Sequence, residues 1–252
     1  MNAGQRLAMR IALCLLLCIL YSTTLYADEV TVFASDDYQP ITFRNEQGKE
    51  DGIAYVLIKH YEQLSGNKVY LDMASWKRSY SLAEKGKGGI IGLSKTKARL
   101  EIFDYSEPFY ESIVGLVVKK GREFPFNSVA DLKGKRISVT NAASYGEEFD
   151  HARLAGLFSV DVNYASDVRL KKLLYDRVDC AVVNNGDQGL EVILKKDPDL
   201  LNKRDQFVYL SKPLVRDPLY LAFHKSMKMQ GWLIEFNRAI KDAKLKGVIP
   251  NP

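Results

Sequence analysis

The chain has little cysteine, little histidine and no long apolar run, and each shortage removes a class of function. Three cysteines and three histidines serve 252 residues. Cys14 and Cys18 fall in the apolar N-terminal segment, and Cys180 stands alone in a strand-like apolar pattern. Without those two, no intramolecular disulfide is open to the chain, and Cys180 reads as a buried thiol. No Cys/His set has zinc-ligand spacing, no glycine-rich stretch matches a phosphate-binding loop, and no Gly-x-Ser-x-Gly turn presents a nucleophile. No metal, cofactor or catalytic residue is therefore expected. His60 reads as a packed histidine on an apolar helix face, and His151 and His224 have no acid or nucleophile at useful spacing. The basic runs Lys119–Arg122 and Lys241–Lys246 lack interleaved aromatics and read as solvated faces, which argues against nucleic acid. Repeats, low-complexity tracts and Pro/Ser linkers are missing too.

What is there begins with a leader. Arg6 and Arg10 precede an apolar stretch from Ile11 to Tyr21, and Ala27 precedes the acidic pair Asp28 and Glu29. That is the build of a secretory signal peptide over residues 1–27. Its apolar run is shorter than the ~20 residues a membrane span needs. Without it, 34 basic residues face 31 acidic ones, a mild balance of +3 spread along the chain.

Beyond the leader, strand-like and helix-like segments alternate, which predicts an α/β fold. Val30–Ala34, Val69–Met73 and Gly89–Gly92 read as strands. Apolar residues at Ile53, Val56, Leu57, Tyr61 and Leu64 have helical spacing, with Gly66 placed to end the helix. A helix is expected from Trp76 to about Glu84. A β-rich run, Ser112–Val118, leads to a second unit. There Ser128 caps a short turn, Arg136–Val139 is a strand, and a helix runs from near Ser144 to Leu157. A helix over Asp167–Tyr175, a strand over Asp179–Val183, a helix from about Asp187 and a strand over Leu219–Phe223 follow. Trp232, Phe236, Ile240 and Ala243 form the apolar stripe of a last helix.

The segment from Gly92 to Tyr110 is the most telling. It opens where a buried strand ends in glycine, and Ser94 and Arg99 follow in a loop too polar for the core. A close-approach glycine, a hydroxyl and a guanidinium suit a small carboxylate, because arginine offers two parallel donors to two oxygens. The alternative is an ion pair of Arg99 with Glu101 or Asp104 on a solvated turn.

This segment resembles the bacterial extracellular solute-binding proteins of family 3, the periplasmic receptors of polar amino-acid uptake. Their pattern Gly-x-Thr-x-Thr-x-x-Arg, then Asp-Phe-Ser-x-Pro-Tyr, is matched position by position by Gly92, Ser94, Thr96, Arg99, Asp104, Tyr105, Ser106, Pro108 and Phe109, with Ser94, Tyr105 and Phe109 as close variants. Asp36 to Phe43 is similar to the family's opening loop, and Trp76, Asp131–Lys135 and Asp179–Val183 fall where it has comparable residues. The resemblance covers nearly all of the chain after the leader. It implies a two-lobed, type II periplasmic binding protein-like α/β fold, each lobe a mixed sheet flanked by helices, with two hinge crossings near Phe109–Ser112 and Arg216–Tyr220. Lobe one would be 28–111 plus 219–252, and lobe two 112–218.

The resemblance also implies a site without catalytic residues. Arg99 would clamp a ligand carboxylate with Ser94, and the Gly92 carbonyl would take an ammonium. Trp76 and Tyr38 would sandwich the stem, and Asp36, with Asp37 as its rival, would reach the polar end. From lobe two, Thr140 and Ser144 would bind from the second ligand loop, Ser144 at a helix start where an anion is favoured. Two departures stand out. Ala142 and Ala143 occupy positions where glycine is common, and Asn184 stands where the family often has an aspartate for the α-ammonium. The implied partners are a small carboxylated, amino acid-like solute and the membrane permease of an ABC transporter, for a periplasmic monomer. A cyclohexadienyl dehydratase-like enzyme and a ligand-sensing subunit are the alternatives on the same fold.

Overall fold

The computed structural model describes residues 29–251, so the leader lies outside the described residues. The chain opens with β1 (Glu29–Ser35), then a small antiparallel sheet of β2 (Asp37–Tyr38), β3 (Thr42–Arg44) and β4 (Glu50–Asp51). Next come α1 (Ile53–Ser65), β5 (Lys68–Ala74), α2 (Trp76–Glu84), β6 (Gly89–Leu93), α3 (Lys97–Ile102) and β7 (Phe103–Tyr105). The long β8 (Tyr110–Lys119) leads to β9 (Arg136–Thr140), α4 (Glu147–Leu154), β10 (Ser159–Asn163), α5 (Ser166–Leu174) and β11 (Cys180–Val183). After α6 (Gly186–Lys195), α7 (Pro198–Leu201) and β12 (Phe207–Tyr209), the equally long β13 (Val215–His224) returns, and α8 (Gln230–Leu245) closes the order.

Strands run β10-β9-β11-β8-β13-β6-β1-β5, with β12 added on β8 and β7 on β13. The two long strands explain this continuity. They pair antiparallel with each other from Tyr110–Leu219 to Val114–Val215. Past that ladder β8 pairs with β11 and β12, while β13 pairs with β6 and β7. Each strand thus belongs to both ends of the molecule. The parallel strands β1, β5 and β6 at one end, and β9, β10 and β11 at the other, are linked by helices, as parallel pairing requires.

Separate sets of buried residues fill the two ends. At the first, α1 and α8 pack on β1 and β5, where Tyr61, Phe223, Trp232 and Phe236 form an aromatic cluster with the last two rings stacked at 5.2 Å. At the second, one core beneath α4 and another beneath α5 and α6 cover the two faces of the sheet. The apolar stripe Trp232, Phe236, Ile240 and Ala243 is buried as its spacing predicts. Gly66 ends α1 in the left-handed conformation at φ +78°, its N–H donating to the Glu62 carbonyl. Cys180 is fully buried, and burial pushes its thiol up to about 12.

Two local expectations need correction. The helix expected from near Ser144 to Leu157 spans only Glu147–Leu154, because Gly146 at φ +92° precedes it and Gly156 at φ +72° follows it. His60 is not merely packed: its Nε2 lies 2.7 Å from Oδ2 of Asp242 on α8.

Candidate functional site

Between the two ends lies a cavity of about 60 Å3, room for roughly four to six waters. It sits beyond the C-terminal ends of strands from both ends of the molecule, the position where open α/β sheets gather ligand groups. The first wall carries Ser35, Asp37, Tyr38, Trp76, Gly92, Ser94 and Arg99. The second carries Thr140, Ala143, Ser144, Tyr145, Arg169 and Asn184, and the crossing strands add Val114 and Asp217.

Arg99 is held by its own loop. The Thr96 hydroxyl caps α3 by accepting from the Arg99 N–H at 3.2 Å. Arg99 is 6% exposed, its guanidinium lies 5.1 Å from the Tyr80 ring centroid, and its Nη1 donates to Ser94 Oγ at 2.9 Å and the Ser94 carbonyl at 3.3 Å. Neither Glu101 nor Asp104 forms an ion pair with it; Asp104 accepts instead from Gln230 at 2.7 Å. The solvated-turn alternative is thereby excluded. Gly92 adopts φ +83°, which a side chain disfavours, while an added Cβ would meet only ordinary contacts from 3.6 Å outward. Its glycine is needed for backbone conformation rather than for space.

Eight of the nine residues singled out in the sequence line this cavity: Arg99, Ser94, Gly92, Trp76, Tyr38, Ser144, Thr140 and Asn184. Asp36 does not. Alternation beyond β1 places Ser35 and Asp37 at the cavity and Asp36 at a separate surface groove with Gln39, Pro40 and Phe43. Ser144 is not a helix cap. It precedes the true N-cap Gly146 by two residues, and its hydroxyl donates to Asp150.

Contacts join the walls around the cavity. The Trp76 indole N–H donates to the Ala142 carbonyl at 3.2 Å. Asp37 accepts from the Ser166 N–H at 2.9 Å and pairs with Lys196. The Asn185 amide donates to the Gln39 carbonyl at 2.8 Å, and the Lys97 N–H to Glu147 at 3.1 Å. The cleft is therefore bridged on several sides.

The lining residues that sequence reasoning missed include Asp217, Arg169 and Tyr145. Burial raises the Asp217 carboxyl to about 7, against the opposing pull of Arg99 and of the Ser94 hydroxyl. Arg169 is 5% exposed, and its Nη1 donates to Thr140 Oγ1 at 2.8 Å. The Tyr145 hydroxyl accepts from the Thr140 N–H at 2.8 Å. Burial, first, and the Asp217 charge, second, push the Tyr38 phenol up. Chemically the cavity offers two guanidiniums, two carboxyls, several hydroxyls and one neutral amide. Among the described residues no cluster of His, Cys, Asp and Glu fits a metal ion.

Residues 30–249 match the family described as bacterial extracellular solute-binding proteins, family 3. The L-cystine-binding protein TcyJ of Escherichia coli K12 is 24% identical over 151 residues, 58% of this chain and 55% of that protein. The membrane-bound lytic murein transglycosylase F of Pseudomonas putida is 27% identical over 112 residues, 43% of this chain and 23% of that protein. The chain thus spans about half the length, or less, of these curated relatives. A solved ancestral arginine-binding protein bound to arginine has TM-score 0.72 and 22% identity, covering 87% of this chain and 94% of its own. A histidine kinase sensor domain with similarity to periplasmic binding proteins has TM-score 0.74 and 17% identity, covering 87% and 91%. Those structures show the fold, an α/β architecture of the periplasmic binding protein kind.

Proposed function

This chain belongs to the bacterial extracellular solute-binding proteins, family 3, and on that premise we propose that it is a periplasmic receptor for a small carboxylated, amino acid-like solute. It closes two lobes, 28–111 plus 219–252 and 112–218, around the solute and presents it as a monomer to the permease of an ABC transporter. The segment 1–27 acts as its signal peptide. The crossings near Phe109–Ser112 and Arg216–Tyr220 serve as the hinge, since among the described residues the long strands β8 and β13 carry the chain between the two ends.

The observation that carries this reading is Arg99: a buried arginine, fixed on one side by Ser94 and Tyr80, with no carboxylate in ion-pair distance among the described residues, facing a cavity of small-solute size. Burying such a charge is costly unless it is paired. A ligand carboxylate supplies the partner, and the bidentate geometry of arginine matches it. Ser94 completes that pole. Tyr38 and Trp76 flank the solute stem, and Trp76 also ties the walls together when the cleft is closed. Asp217 offers the negative charge for a ligand ammonium that Asn184 lacks. Thr140 and Ser144 close from the second wall. We read the protein as a receptor and not an enzyme, in keeping with the binding proteins among its relatives.

Thermal unfolding of the purified protein across a panel of amino acids and small dicarboxylates tests this. A ligand at about a hundredfold over its dissociation constant should add ~2.7 kcal/mol, a shift of several degrees. The expected result is a selective shift that vanishes in Arg99→Ala, with the solute recovered unchanged. No shift with any carboxylate, or conversion of the bound solute to a product, would overturn the reading.

A further inference from the structure

We infer that the cavity is built for a solute with two carboxylates, one clamped by Arg99 on the first wall and the other by Arg169 on the second, as in an acidic amino acid. This rests on the receptor reading and names its solute class.

Arg169 is the only charged residue among the second-wall lining, and it is positive. At 5% exposure it is as buried as Arg99, yet it projects from a helix, α5, whose neighbouring lysines are paired at the surface: Lys171 with Asp167 and Asp197, Lys172 with Asp161. Arg169 forms no such pair within 4.0 Å among the described residues. One hydroxyl, Thr140 Oγ1 at 2.8 Å, takes its Nη1, and its Nε is buried with no hydrogen-bond partner at all. A guanidinium left this way is costly, and an orphaned buried donor adds to that cost.

The acids nearby do not relieve it. Asp37, which lines the same space, is engaged by Lys196 and by the Ser166 N–H and hydroxyl. Asp217 is felt by Arg99 rather than Arg169. What remains is an anion entering with the solute. An acidic side chain reaching Arg169 would find the Thr140 hydroxyl and the Asn184 amide on the same wall, both able to donate, whereas the Ser144 hydroxyl is already given to Asp150. An aspartate at 184 would repel that second carboxylate, so the neutral amide there fits a dianionic solute better than a neutral one. The solute's ammonium, where it has one, lies toward Asp217.

Calorimetric titration with glutamate, aspartate, succinate and glutarate, beside the matched amides glutamine and asparagine, tests this in the wild type, Arg169→Met and Arg169→Lys. The wild type should prefer an acid over its amide by at least tenfold. Arg169→Met should erase that preference, and Arg169→Lys should keep part of it. Unliganded Arg169→Met should also melt higher than the wild type, because an uncompensated charge is gone, whereas an arginine with a purely structural role would melt lower when replaced. Amides binding as tightly as acids, a preference that survives Arg169→Met, or a lower melting temperature would each overturn the inference. If another amino acid binds through Arg99 while no acid does, the receptor reading stands and this inference falls. If nothing binds, both fall.

Discussion

The two walls of the cavity each bury one arginine, and they hold it by different means. On the first wall the clamp is short-range: Ser94, Thr96 and Arg99 lie within six residues, and the turn between β6 and α3 sets all three. On the second wall the guanidinium comes from α5 and reaches Thr140 at the end of β9, 29 residues away in sequence. The first wall also brings the acids, Asp37 and the adjacent Asp217 of β13, whereas the second brings hydroxyls and an amide. A preorganised anion pole faces a wall assembled from several elements, so the first is suited to general recognition and the second to discrimination.

The largest break in this comparison is Arg99→Ala. Removing one partner of a buried charge pair costs about 2–5 kcal/mol, roughly 30-fold to several thousandfold in affinity. Titration calorimetry should show that loss for every carboxylate ligand, whatever its side chain.

The next effect is a pH dependence set by Asp217. Its folded carboxyl titrates near 7, above the ordinary value of 3.8, so the folded state holds the proton that the unfolded chain has released. This group therefore favours the fold fully below about 4 and withdraws that support as pH rises toward 7. Melting temperatures of unliganded Asp217→Asn should lose this decline between pH 4 and 8 and exceed the wild type at pH 8. A cationic group of the ligand placed beside Asp217 would reverse the penalty, so affinity for an amino acid should rise with pH through 7 in the wild type and stay flat in the variant.

Smaller effects come from the contacts that join the walls. Asp37→Asn loses its pairing with Lys196 and weakens its bonds to Ser166. A cost of about 1–3 kcal/mol is expected, read as faster ligand release in stopped-flow kinetics with an unchanged association rate. Trp76→Phe removes one indole bond to the Ala142 carbonyl. That is worth about 0.5–1.5 kcal/mol, a few-fold to tenfold in the same release rate.

The Arg99 clamp of the first wall was legible in the sequence because its parts are adjacent. A buried strand ending near Gly92, followed at once by Ser94 and Arg99, already suggests a carboxylate site, and the family resemblance favoured it over a solvated ion pair. Arg169 was hidden among Lys171, Lys172 and Arg177, where a basic residue reads as solvated. The available signal was its phase: Ser166, Arg169, Leu170 and Leu173 are the buried face of α5, so an arginine occupies an apolar stripe. Asp217 was concealed similarly, although it alternates in step with the buried Leu219. Asp36 and Asp37 could not be told apart, since a one-residue choice of strand phase decides which acid faces the cavity. The short sheet of β2, β3 and β4 left no signal because its strands are two or three residues long.

Tryptophan fluorescence tests the central claim most directly. Of the two tryptophans, Trp232 is buried in the first core and Trp76 lines the cavity, so a solute entering the site changes the emission of Trp76. Titration with small amino acids and dicarboxylates should give a saturable change in the wild type, no change in Trp76→Phe, and none in Arg99→Ala over the same concentrations. A saturable change that persists undiminished in Arg99→Ala would contradict the account, because the solute would then be held by something other than the buried guanidinium.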